Sequence, residues 1–368
     1  MGSTSHEVTM HPFSYMPILK GKRAEFKALT QLSTDIIEQI RPLIEIEPVP
    51  HDPDTEMPDK TYTELLTGYG TKLAQAWPNQ TPLLLDGNLI DEEDIEAEET
   101  HPLIVAIHQA RESGVYIVPV TSPTRSLLYK AAVQQVLTNE ACLRLQIADL
   151  MNPQLIKNYI DEIGISLDKI DVVIDLHSSL DDSNLQTSAL VAVGGINNLP
   201  YLQDYRSITL ASGSFPRDLS LVQVGTAQIP RLEWDLWKAI VRMPGLNRSV
   251  IYGDYGVQHP EYTRLATRFP SVTASIRYTA DDYFLIFRGK VARVHGYEQY
   301  GEHCRELIGR PEYPGQHYSE GDLDIWKYAH DEVKKPNGEI TYGSAEVWRR
   351  VAANHHITLV IRQLSNQT

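Results

Sequence analysis

The stretch VYIVPVTSPTRSLLYKAAVQQVLTNEACLRLQI, residues 115–147, decides the fold. Val115–Thr121 is a short apolar, β-branched run, Leu127–Leu137 carries its apolar residues at helical spacing, and Cys142–Ile147 returns to a strand-like run. Strand, helix and strand in that order make a βαβ unit, whose two strands lie parallel in one sheet.

The same alternation extends in both directions. Tyr15–Leu19, Pro42–Glu47 and Pro82–Asp86 precede it, and Val172–Leu176, Ser207–Ala211 and Val250–Gly253 follow it, so the chain carries eight strand-like runs. Between them the spacing predicts helices over Ala24–Ile40, Tyr62–Trp77, Leu103–Ser113, Pro153–Ile163, Leu185–Val193 and Trp234–Val241. Eight parallel strands can close into a (β/α)8 TIM-type barrel and leave no sheet edge. An open doubly wound sheet is the competing architecture, weakened because neither G-x-G-x-x-G nor G-x-x-x-x-G-K-[ST] occurs.

After the eighth run the pattern changes. Ser275–Tyr278 and Tyr283–Gly289 read as antiparallel strands joined around Asp281-Asp282, and Ala345–Gln363 as a helix or a helix plus strand. The expected organisation is a barrel over residues 12–262 and a C-terminal α+β extension over 263–368, packed on the barrel mouth. The opening MGSTSHEVT is set aside as a leader remnant.

Across its 368 residues the chain carries a formal net charge of -15, which argues against non-specific binding to a phosphate backbone. The acidic run Asp91–Glu99 reads as a solvated loop or frayed helix start. The two cysteines, Cys142 and Cys304, lie far apart, so no disulfide framework or zinc knuckle is indicated and a reducing cytoplasm is the expected compartment. No apolar run approaches the ~20 residues that span a bilayer.

Barrel ligands sit at the C-terminal ends of the strands, so the polar residues ending the runs are candidates. Lys20 and Lys22 end the first run, Glu45 and Glu47 lie in the second, Asp86 ends the third and Arg144 lies in the fifth. Asp175 and His177 end the sixth, Ser212 and Ser214 follow the seventh, and Tyr252, Asp254 and Tyr255 end the eighth. Acids and bases inside a barrel must neutralise one another or a ligand, which leaves a structural ring of ion pairs and a binding mouth both open. Asp175 with His177 suits a divalent metal or acid–base chemistry. Ser214, in Ser212-Gly-Ser214-Phe-Pro, reads as an anion-binding turn before a nucleophile, since the G-x-S-x-G pattern is missing. Arg277, Arg349-Arg350, His355 and His356 add cationic groups from the extension, and Trp234 with Trp237, three apart on a helix, reads as core packing.

The strings YMPILKGKRAEFKAL, IRPLIEIEP, the Ser214-Phe-Pro turn, Arg231–Trp237, YGDYGVQHP, IRYT and WRRVAANHHITLVIRQL together resemble the beta protein family of bacterial and phage-associated proteins, from about Tyr15 onward. The chain departs from the family's pattern at Ala352-Ala353, where a glycine-containing stretch is expected. The resemblance implies a role in phage–host conflict, as an enzyme or as a non-catalytic sensor with a protein partner. It carries over to Lys20, Lys22, Glu25, Glu45, Asp86, Arg144, Asp175, Ser214, Arg231, Trp234, Asp254, His259, Arg277, Tyr278, His355 and His356. The expected site places Glu45, Asp175, Asp254 and His356 in acid–base roles of a hydrolase or phosphoryl-group enzyme. Lys20, Lys22, Asp86, Arg144, Ser214, Arg231, His259, Arg277, Tyr278 and His355 hold a small anionic, phosphorylated or nucleotide-like ligand in that scheme.

Overall fold

The computed structural model describes residues 13–367 apart from 79–80, 97, 179–183, 265–266 and 268–270. The MGSTSHEVT segment therefore lies outside the described residues. Eight strands, β1 (Tyr15–Leu19), β2 (Leu43–Glu45), β3 (Leu83–Asp86), β4 (Ile117–Thr121), β5 (Ala141–Gln146), β6 (Ile170–Asp175), β7 (Ser207–Ser212) and, after the intervening β8 (Gly225–Pro230), β9 (Ile251–Asp254), form a closed barrel. Every neighbouring pair is parallel, and β9 closes on β1 with Tyr252 beside Tyr15. The fold is a (β/α)8 barrel with added C-terminal elements.

Local chemistry sets where the surrounding helices begin. Ser126 accepts from the Tyr129 amide at 3.0 Å, and Asn152 accepts from Leu155 with Pro153 in the first helical turn. The expected helix over Tyr62–Trp77 breaks at Gly68, whose φ of 67° is left-handed, giving Tyr62–Leu65 and Tyr69–Ala76. Ala24–Ile40 likewise divides into Arg23–Leu29 and Thr34–Ile37, with extended backbone at Ser33 restarting the second piece.

Inside the barrel, Met16, Ile18, Leu43, Leu84, Val118, Cys142, Val173, Ala211 and Ile251 form one apolar layer. The end holding the strand N-termini is sealed by Asp171, which takes Arg206 at 2.8 Å, Ser207 at 2.6 Å and Arg41. The strand-end residues nominated as a site lie at the opposite end of this layer.

β10 (Thr273–Thr279) and β11 (Tyr283–Val291) are the antiparallel pair expected around Asp281-Asp282, and a third strand, β8, joins them along β11. β8 comes from the connection between β7 and β9, so the extension's sheet is threaded from within the barrel span. Helices Gln299–Ile308 and Glu320–Ala329 cover this sheet. The last helix runs unbroken over Ala345–Ser365. Trp348 and Val351 enter the core of the extension, whereas Ile357, Val360, Ile361 and Leu364 pack with Tyr15, Leu19 and Leu29 against the barrel. The β-branched run Ile357–Ile361 resembles a strand in sequence because this helix is buried on several sides at once.

Candidate functional site

Below the mouth, Arg144 from β5 is the hub of a closed ionic network. Its guanidinium reaches Glu45 at 2.7 Å, Asp86 at 2.8 Å, Asp175 at 2.9 Å and the Tyr255 hydroxyl at 2.6 Å. Lys20 pairs with Glu45 at 2.8 Å, Arg125 with Asp86 at 3.1 Å, and Tyr255 donates to Asp175 at 2.6 Å. Three cations, Lys20, Arg125 and Arg144, face three carboxylates, Glu45, Asp86 and Asp175. Burial alone would raise the Glu45 and Asp175 carboxyls, but Arg144 beside both, with Lys20 beside Glu45, holds them below the usual range. All four of Glu45, Asp86, Arg144 and Asp175 are buried and fully engaged, which is the arrangement of a structural ring. His177 leaves the strand at a left-handed φ of 56°, and its amide donates to Asp175 at 2.9 Å. Among the described residues no three His, Cys, Asp or Glu side chains are grouped to hold a metal ion.

A second set lies outside the barrel wall. Strand parity turns Tyr255 inward and Asp254 outward, where Asp254 accepts from Tyr15 at 2.5 Å, Tyr252 at 2.8 Å and His356 at 2.9 Å. These donors and the His356 charge hold Asp254 down at about 2 against the desolvation that would raise it. His356 bonds Thr279 of β10 at 2.9 Å through its other nitrogen. His355 points to the opposite side of the helix, bonding Asp322 at 2.8 Å and the Thr279 carbonyl at 2.9 Å, while Tyr278 donates to Asp322 at 2.7 Å. Arg231 donates to the carbonyls of Ala280 and Asp281 and to Gln363. Ser214 accepts the Leu232 amide at 3.2 Å and donates to Glu233, so it caps the helix Leu232–Val241. Arg231 and Asp254 thus join barrel to extension, Ser214 bonds within the barrel span, Tyr278 and His355 bond within the extension, and the five do not converge on the mouth as the strand-end census expects. For Asp254 the reason is parity: a census of strand ends does not separate inward from outward side chains.

A third set surrounds a cavity of about 360 Å³ between the end of β1, the loop after β9, β10 and the last helix. Lys20, Lys22, His259, Arg277 and His356 of the nominated residues line it, joined by Arg217, Arg349 and Tyr262. Lys22 sits with its ammonium 5.0 Å from the Tyr262 ring. The nearby carboxylate of Glu25 is occupied by the backbone amides of Lys20 and Lys22, at 3.2 and 2.8 Å. Arg277 donates to the Val257 carbonyl at 2.7 Å and stacks 4.7 Å from Phe215. Among the described residues neither Lys22, Arg277 nor Arg349 has a carboxylate within 4 Å. Burial and then the Arg349 charge lower Arg277 to about 10, and burial lowers Lys22 against the opposing pull of Glu25 and Glu47, with Arg349 and Lys20 adding to the shift. Just beyond β2, burial lifts the Glu47 carboxyl to about 7 in spite of Lys22. Arg217 and Tyr262 escaped the strand-end reading because they lie several residues into the loops after β7 and β9. Loop length is the signal that would have included them.

The geometry defines a (β/α)8 barrel protein with a cationic cavity where its extension meets the barrel. The family described as Beta protein matches residues 15–362, and the chain belongs to that family. No curated protein matches the chain.

Proposed function

We propose that the cavity between barrel and extension binds a small phosphorylated or nucleotide-like molecule, and that the protein acts as a reader of that ligand. One observation carries the reading: Lys22, Arg277 and Arg349 meet at one cavity with no carboxylate within 4 Å among the described residues, in a chain of net charge -15. The barrel's interior cations are all ion-paired, whereas these three have no salt bridge among the described residues, so this cluster is the place where an anion gains most. The phage association implied by the family resemblance makes a sensor or effector of phage–host conflict the setting we propose.

Chemistry on the bound ligand is a second reading: Glu47 lines the neighbouring cavity rather than this one, but its charge bears on Lys22, which lines this one, and its carboxyl near 7 suits a general base at neutral pH. Glu45, Asp175 and Asp254 are less suited, because their oxygens are held by Arg144, Lys20, Tyr255, Tyr15, Tyr252 and His356.

Thermal unfolding with ATP, ADP, AMP and inorganic phosphate at low salt tests the binding reading. At least one phosphate compound should raise the melting temperature, with an effect that shrinks as salt rises and is lost in Arg277→Lys/Arg349→Ala. A folded protein indifferent to the whole panel overturns it. Product analysis with divalent cations added then separates turnover from binding, and intact ligand throughout removes the enzymatic reading.

A further inference from the structure

The guanidinium groups of Arg277 and Arg349 border a second cavity as well. This one, of about 370 Å³, lies on the far side of the two arginines, between the segment Asp218–Ser220, the start of β10 and the first turn of the last helix. Arg217, Arg277 and Arg349 line both cavities. Each cavity alone falls within the ~300–1,000 Å³ of small-molecule sites. The positive groups therefore belong to the wall that the two cavities share, and a ligand ending in a terminal phosphate there would occupy one cavity and leave the other empty.

The compartments are alike in chemistry. Tyr255 and Tyr262 line the first, and Tyr300 and Trp348 line the second. Tyr300 and Trp348 are buried and stack on one another at 5.1 Å, so with Leu219 and Val272 they give the second compartment an apolar, aromatic wall for a nucleoside rather than free stacking faces. Of the carboxylates that line the two cavities, Glu261 is paired with Arg217, Glu25 accepts backbone amides, and Asp218 accepts the Ser220 amide at 2.7 Å. Glu25 and Asp218 keep their negative charge, one beside each cavity, and Arg277 and Arg349 are the cations of the shared wall that have no carboxylate within 4 Å among the described residues. Arg277 is fixed there by its bond to Val257 and its stacking on Phe215.

We propose that the ligand is a bridged dinucleotide, with a phosphodiester or diphosphate held between Arg277 and Arg349 and one nucleoside in each compartment. This rests on the phosphate-binding reading above and narrows it to a class. Joining the two nucleosides makes the second contact intramolecular, so the bridged molecule gains affinity that a mononucleotide lacks.

Calorimetric titration of the full chain with diadenosine diphosphate and with ADP tests it. ADP carries the greater negative charge, so simple charge attraction favours ADP. The proposal expects the opposite order, with diadenosine diphosphate binding at least about tenfold tighter. Ser220→Trp, an exposed position that fills only the second compartment, should bring the dinucleotide down to the affinity of ADP. If ADP binds as tightly as the dinucleotide, or Ser220→Trp leaves the preference in place, the two-compartment proposal falls and phosphate binding stands. If neither probe binds the folded protein, both fall.

Discussion

Arg144 meets three carboxylates and a tyrosine hydroxyl from four different strands or loops, and removing it would leave Asp175 without a cation and three buried carboxylates facing only Lys20 and Arg125. A buried ionic group that loses its partner costs about 3–5 kcal/mol. Arg144→Met should therefore lower stability by about that amount in urea unfolding. A variant of native stability that has lost only ligand binding would return Arg144 to the site. Sequence reading finds Lys20, Glu45, Asp86, Arg144 and Asp175, which all end or sit in strand-like runs, and misses Arg125, which lies in the loop after β4. It does not tell that they satisfy one another, because partner choice depends on the stagger of strands around the barrel. The pairing of Glu45 with Asp86 across β2 and β3, and of Gln146 with Asp175 across β5 and β6, sets which groups lie level with Arg144. Asp254 illustrates the remaining gap: Ile251 and Tyr255 are inward by their apolar packing, and the residue between Gly253 and Tyr255 must then face out.

The helix Ala345–Ser365 serves two cores at once, and adjacent histidines mark the change of face. His355 belongs to the extension through Asp322, while His356 belongs to the barrel through Asp254. Asp322 also accepts from Tyr278 and from the Ser319 hydroxyl at 2.6 Å, and its own amide donates to the Ser319 hydroxyl oxygen at 3.1 Å. Asp322→Ala leaves His355 and Tyr278 without their buried acceptor, at about 1–3 kcal/mol for each group. Thermal unfolding should show the loss, and limited proteolysis should cut helices Gln299–Ile308 and Glu320–Ala329 before the barrel. Equal cleavage of both regions at the native rate would show that this triad does not hold the extension. At the level of elements, apolar periodicity exposes the barrel strands and the β10–β11 hairpin. β8 is not legible: GTAQIP is largely exposed and lacks alternation, and only its register along β11, Tyr283 beside Pro230, makes it a strand.

For the molecule as a whole, the net charge of -15 conceals both the uncompensated cavity and a buried ionisable seam between barrel and extension. Arg231, Glu233, Asp254 and His356 make up that seam. Burial raises Glu233 from 4.5 to about 7, outweighing the pull of Arg231, with Asp254 adding repulsion. Arg231 itself stays charged despite burial because Tyr252, Glu233 and Asp254 surround it. Burial acts on His356 in the other direction, lowering it below 6.5 although Asp254 attracts its proton. The two slopes have opposite signs. The proton that folded Glu233 retains gives stability that is complete below 4.5 and is lost as pH rises through about 7. The neutral form of His356 gives stability that is present above 6.5 and is lost as pH falls. Wild-type stability is consequently flattened between these limits, and Glu233→Gln isolates one contribution. Gln keeps an acceptor for Ser214 and removes the titration. The stability of Glu233→Gln relative to wild type should then climb by on the order of 3 kcal/mol between pH 4.5 and 7, measured by urea unfolding across that range. A pH-independent difference would mean that Glu233 is ionised throughout, and that Arg231 outweighs burial at the seam on which the extension is held.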